Sequence, residues 1–284
     1  MKKLLLPLMA VVAFTTCTEY VEDKKPSDGT RTKDITINVQ GDFTFSPMTR
    51  ASLTADGKDM TDLWVFDYQE NELKQQLHQT SEDEDFGSPT LTLGYGTHHL
   101  YFIASRGQSP TVDLVDNIVA YSRVLDTFWA DYTIAVSSIT ASTADVSLDR
   151  VVTKLSIAPT DVVPIGTAKV EITPHLWYYG VNFLTGEPAL PSEDEPITIT
   201  IPSSFIGTAT SFNIYCFSSA TQWTTNVTVE SFNSSDESTS SITILNAPMK
   251  RNRITQYSGQ MWSSGKTMSV SLSDEWDTSY SGTW

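Results

Sequence analysis

Apolar and polar residues alternate along most of this chain with a period of two, in short runs closed by Gly, Pro, Asn, Asp or Ser. That is the pattern of strands with one face buried. The first series of runs covers 35–39, 62–68, 90–93, 98–104, 133–136 and 145–148. A second covers 151–157, 168–173, 197–201, 212–217, 226–232, 241–245 and 268–272. One segment departs from the pattern. Val112, Val115, Ile118, Val119, Ser122, Leu125 and Trp129 recur at helical spacing, which predicts one short amphipathic helix over 113–129, placed to cover an open face or edge of the first sheet. The evenly spaced strands predict an all-β chain of sandwiches, and a body of about 250 residues exceeds one sandwich of roughly 100. The expected organisation is two sandwiches in series, over 34–143 and 144–284, divided in the Ser- and Thr-rich stretch that ends at Thr143.

The start of the chain reads differently. Lys2 and Lys3 precede an apolar run over 4–14, and Cys17 follows. The run has the length of a signal-peptide core and falls short of the roughly 20 residues a spanning helix needs. Residues 1–17 are therefore expected to be a lipoprotein signal ending at a lipidated Cys17, which would tether the protein to the outer membrane. Phe14, Thr15 and Thr16 stand where a leucine and two small residues are usual, so the alternative is an ordinary secretory signal in which Cys17 is incidental. Cys216 is the second of the two cysteines. Lipid on Cys17 rules out a disulfide between them and makes Cys216 a small buried apolar residue. Residues 18–33 carry too little apolar surface to fold alone and are expected to form a leash. The acidic Glu19, Glu22 and Asp23 just after the cysteine resemble the surface-export signal of Bacteroidota lipoproteins.

Charge narrows the partners. With 18 basic against 34 acidic residues, a net charge of -16 and a pI near 4.5, the chain lacks the clustered Lys and Arg that nucleic acid requires. The four histidines are His78, His98, His99 and His175. His98 and His99 are adjacent on an expected strand and so point to opposite faces, one buried and hydrogen-bonded, the other solvated. The acidic runs 82–85 and 193–195 lack the glycine turn of an EF-hand and read as solvated hairpin loops. No phosphate-binding glycine loop or nucleophile elbow occurs in the sequence. A binding or structural protein is expected, without catalytic residues, metal or cofactor.

Three stretches in order resemble the fimbrillin superfamily, the type V pilins and related surface lipoproteins. They are Thr49-Arg50-Ala51 followed by Met60-Thr61-Asp62-Leu63-Trp64-Val65-Phe66-Asp67-Tyr68; His99-Leu100-Tyr101-Phe102-Ile103-Ala104; and Val146-Ser147-Leu148-Asp149-Arg150-Val151-Val152-Thr153-Lys154-Leu155. Lys250-Arg251-Asn252-Arg253-Ile254-Thr255 with Gly259 is similar to the last hairpin of that superfamily, and Glu275-Trp276 to its closing residues. The resemblance implies two transthyretin-like sandwiches and a fimbrial or fimbria-associated subunit, which partners other subunits by strand addition. It further implies a protease cut after Arg50, leaving Ala51 as the new first residue, removing the strand at 35–39 and releasing the lipid anchor. A turn arginine after Pro47 is the alternative reading of Arg50.

Aromatic residues support a competing function, a non-catalytic glycan-binding lipoprotein that recognises a host or bacterial surface ligand. Trp177, Tyr178 and Tyr179 run consecutively, and on a strand Trp177 and Tyr179 share a face opposite Tyr178. Trp177, Tyr178 and the terminal Trp284 are the candidate glycan or partner contacts, with core filling the alternative for one face of the strand.

Overall fold

The structure is a computed structural model, and it describes residues 31–45, 59–106, 110–263 and 268–273. In chain order the first half contains β1 (Thr32–Gln40), β2 (Thr44–Phe45), β3 (Asp59–Met60), β4 (Asp62–Gln69), β5 (Glu72–Thr80) and β6 (Thr90–Gly94). It continues with β7 (Gly96–Ser105), β8 (Thr111–Asp113), β9 (Ile118–Ala120), β10 (Thr127–Val136), β11 (Thr143–Ser147) and β12 (Asp149–Arg150). The second half contains β13 (Val152–Pro159), β14 (Thr167–Pro174), β15 (Trp177–Asn182), β16 (Pro188–Ser192) and β17 (Ile197–Thr200). After a single 3-10 turn (Ser203–Phe205) come β18 (Phe212–Phe217), β19 (Trp223–Asn233), β20 (Ser238–Met249), β21 (Ile254–Gly259) and β22 (Met268–Ser273).

Two sandwiches result. In the first, a three-stranded sheet β11-β1-β6 faces a five-stranded sheet β12-β10-β7-β4-β5. Between them lies one core, in which Ile35, Ile37, Leu91, Leu93 and Val146 meet Leu63, Val65, Leu100, Phe102 and Phe128. In the second, β18-β13-β21-β22 faces β17-β14-β19-β20 around Leu155, Ile157, Val170, Ile172, Phe212, Val227 and Met249. β11 and β12 both pair within the first sandwich. The chain thus crosses to the second only at Val152, and the expected division at 143–144 falls at the start of a strand of the first.

The expected amphipathic helix over 113–129 is replaced by a hairpin. β8 and β9 pair antiparallel, Val112 opposite Val119, and the turn between them passes through Asn117 in the left-handed region at φ 57°. The Asp113 carboxylate accepts the backbone N–H groups of Val115 and Asp116, an Asx turn that stops a helix from starting there. Among the described residues the 3-10 turn is the only helical element.

The hairpin extends a sheet of the other half. β9 pairs with β15, so that β16-β15-β9-β8 forms a four-stranded sheet drawn from both halves. Beneath it is a third core, where Phe66 and Ile103 from the outer face of the five-stranded sheet meet Val119, Tyr121, Val181, Phe183 and Phe217. Both faces of the five-stranded sheet are therefore apolar over much of their area, which explains why β4 reads as a nearly continuous apolar run.

Candidate functional site

β1 is the centre strand of its sheet. Its first part pairs antiparallel with β6, from Thr32 opposite Gly94 to Thr36 opposite Thr90, and its second part pairs parallel with β11, from Thr36 opposite Thr143 to Gln40 opposite Ser147. Backbone bonds from Ile37 to the Pro89 carbonyl and from Val39 to the Gly87 carbonyl continue the ladder past β6. Side chains add further ties. Thr92 donates to Asp34 at 2.7 Å, Asn38 donates to Asp145 at 2.8 Å, and the Lys33 ammonium reaches the Thr140 carbonyl. On the core face Ile35, Ile37, Val39 and Phe43 are all buried, and Phe43 packs edge-on against Phe128 at 4.7 Å. Burying each aliphatic side chain is worth about 1.5–3 kcal/mol over leaving it exposed. Four core positions on one short segment therefore hold the three-stranded sheet to its partner.

Arg50 and Ala51 lie between the end of β2 at Phe45 and the start of β3 at Asp59, outside the described residues. Cys17 and Trp284 also lie outside them. A break after Arg50 would sever β1 and β2 from everything that follows in the chain.

The joint between the sandwiches is built by the β15–β16 hairpin. Its tip places Phe183 parallel on Phe66 with ring centroids 4.0 Å apart, and the Trp129 indole donates to the Phe183 carbonyl at 2.7 Å. Gly186, at φ 68°, lies directly on the Trp129 ring, where a Cβ would come within 2.7 Å of an indole carbon. Arg251 closes the other side by donating to the Gly186 and Ser218 carbonyls. A buried ion pair adds a second tie. Arg150 is bidentate to Asp126 at 2.7 and 3.1 Å, donates to Asn252 of the second sandwich at 2.9 Å, and stacks over Phe128.

Trp177 is not available to a ligand. It is 1% exposed, its indole donates to the Tyr215 carbonyl at 3.0 Å, and it fills the second core, so the glycan contact expected of it is overturned by burial. Tyr178 is half-buried edge-on to Trp223, and its backbone N–H donates to the Cys216 sulfur at 3.2 Å. Burial pushes the Cys216 thiol pKa up and leaves it an inert core residue.

His98 is buried and His99 is solvated, as their adjacency on a strand implies. His98 Nδ1 lies 2.6 Å from Asp67 Oδ1 and Nε2 lies 2.9 Å from the Gly94 carbonyl. Both neighbours are acceptors, so the doubly protonated ring is the form that satisfies both. Burial alone would lower the His98 pKa, but the hydrogen bond and charge of Asp67, with the Gly94 carbonyl, raise it. In the second sandwich Asp161 accepts the N–H groups of Met261, Trp262 and Ser263 at 2.8–2.9 Å. Burial opposes ionisation of that carboxyl, yet these bonds hold its pKa below the usual range. Among the described residues no three His, Cys, Asp or Glu side chains are grouped to hold a metal.

The profile of a family of unknown function, DUF6562, matches residues 111–283, more than half of the chain. The chain belongs to that family. The matched span of this DUF6562 protein opens at the first residue of β8, so it takes in the hairpin, β10, β11 and β12 of the first sandwich, and the strands of the second half. No curated protein sequence matches significantly. Among solved structures, a candidate cell adhesion protein from Bacteroides ovatus is 14% identical with a TM-score of 0.52, covering 86% of this chain and 98% of that one. A candidate polysaccharide-binding protein from Bacteroides thetaiotaomicron is 8% identical with a TM-score of 0.52, over 85% and 96%. A candidate cell adhesion protein from Bacteroides uniformis is 10% identical with a TM-score of 0.51, over 89% and 100%. The DUF6562 chain shares the fold of these three proteins.

Proposed function

We propose that the protein is a cell-surface adhesion component, a fimbrial or fimbria-associated subunit that acts through binding and not catalysis. It is exported, tethered to the outer membrane by lipid on Cys17 and a leash over 18–33, and assembled with other subunits by strand addition. The observation that carries this reading is β1, a centre strand with three apolar core-facing residues, Ile35, Ile37 and Val39, at the start of the described chain. A cut after Arg50 would leave a groove between β6 and β11 with two unpaired edges and an apolar floor. A strand of the same alternation from a neighbouring subunit fits such a groove.

Mass analysis of the protein from its native envelope tests the proposal. A chain beginning at Ala51, found in SDS-resistant ladders, is the expected result. An intact, lipidated Cys17 with no chain beginning at Ala51 would remove the polymerising role and leave that of an anchor or accessory subunit.

A further inference from the structure

The outer face of the five-stranded sheet carries a second feature, at its β5 edge, where the third core gives out. Three buried side-chain atoms along this face lack a hydrogen-bond partner among the described residues: Asp62 Oδ1, Trp64 Nε1 and, opposite Phe66 on β5, Gln76 Oε1. Asp62 and Trp64 are two apart on β4 and so share a face, and Trp64 is paired directly with His78, two residues from Gln76 on β5. Native interiors leave few such atoms unmet, and a cluster of them asks for an occupant.

The chemistry of the cluster limits what that occupant is. Asp62 and Gln76 offer acceptors and Trp64 a donor, a set that suits hydroxyl groups, each of which both donates and accepts. A metal ion would meet the indole N–H, which cannot ligate it. A phosphate or an acidic sugar would meet the Asp62 carboxylate in a protein of net charge -16. The indole itself is covered in an informative way. The His78 ring lies parallel on Trp64, 9° from coplanar at 4.1 Å, the place and attitude that the C–H face of a sugar ring takes on an aromatic platform. His78 is held there by Asp62 Oδ2 at 2.7 Å, and its side chain is 34% exposed. Rotating it outward bares the indole face and frees Asp62 Oδ2.

We propose that Trp64, Asp62 and Gln76 form a binding site for a neutral carbohydrate, closed in the free protein by the His78 ring standing in for the sugar. The site lies on the opposite face of the sheet from the core that β1 fills, and it does not depend on strand assembly.

Saturation-transfer NMR on the full chain, with glucose, galactose, mannose, N-acetylglucosamine and their linear oligomers as probes, tests it. Binding of at least one neutral sugar is expected. His78→Ala should tighten it by about tenfold, the size of effect that 1.4 kcal/mol produces, because no lid has to be displaced. Trp64→Ala should abolish it and Gln76→Ala should weaken it several-fold, with thermal melts confirming that each variant is folded. If Trp64→Ala does not fold, the opposed effects of His78→Ala and Gln76→Ala decide. No transfer to any probe from either the parent or His78→Ala overturns the proposal, as does binding indifferent to both His78 and Gln76. A crystal structure of His78→Ala soaked in the sugars that shows only ordered waters on Asp62 Oδ1 and Trp64 Nε1 overturns it equally.

Discussion

Strands are lent twice in this molecule, and the two loans are secured differently. β1 enters the first sandwich as a simple insert, with backbone bonds on both sides, alternate apolar side chains below, and a few polar ties above. The β8–β9 hairpin enters the sheet of the other half by the same edge pairing, yet around it stand a stacked Phe183–Phe66 pair, an indole bond to a backbone carbonyl and a glycine that only its missing side chain allows. Edge pairing supplies the geometry in both places. What separates the two is shape-specific packing at right angles to the sheet, which at the joint is concentrated in the tip of the β15–β16 hairpin.

Four experiments would break or sharpen that contrast. The largest effect is expected from Phe183→Ala, about 3–5 kcal/mol by the usual range for a buried aromatic. Calorimetry should then resolve two transitions in place of one, and a single unshifted transition would show that the joint is held elsewhere. Ile37→Ala should cost about 2–5 kcal/mol, with the loss confined to the first sandwich. Hydrogen exchange should speed up in β1, β6 and β11 while β15 and β16 remain protected, and equal loss in both regions would erase the distinction.

Gly186→Ala should cost at least about 1–2 kcal/mol for the left-handed backbone alone, with the Trp129 contact adding to it. Trp129 fluorescence should report a displaced hairpin, and an unchanged spectrum and melt would argue against close packing there. Smallest is the effect of pH through His98. Its folded pKa is raised, so its stabilisation is fully present below the ordinary histidine value near 6.5 and is lost as pH rises through the folded value. His98 bonds the Gly94 carbonyl at the end of β6, opposite Thr32 of β1. Raising the pH should therefore loosen β1 and β6 and spare the joint, after correction for intrinsic exchange, and His98→Gln should abolish the dependence.

The insert was legible in the sequence because its alternation is clean, with Ile35, Ile37 and Val39 inward and polar residues between them. The joint was not. Over 111–129 the apolar residues satisfy a helical period and a hairpin equally well, and the deciding signal was local turn chemistry, the Asp113 carboxylate over two N–H groups and Asn117 in the left-handed region. β5 escaped notice for a different reason. Its sequence ELKQQLHQT carries little apolar alternation, because it is an edge strand whose hydrogen bonds, and not its side chains, define it. Trp177 was visible as an aromatic, but its place in the second core depends on β18, whose Tyr215 carbonyl lies far away along the chain. Trp64 and His78 looked unrelated for the same reason, since only the β4–β5 register makes them neighbours.

The parallel pairing of β1 with β11 has a mechanical consequence. The chain enters β1 at Thr32 and leaves β11 at Ser147, toward the second sandwich. Tension between a tether before Thr32 and a load borne by the second sandwich pulls these two strands in opposite directions along their common axis. The ladder is then loaded in shear, so its bonds must yield together and cannot open one by one from an end. A chain held before Thr32 and gripped at its second sandwich would resist a pull at this pair of strands first.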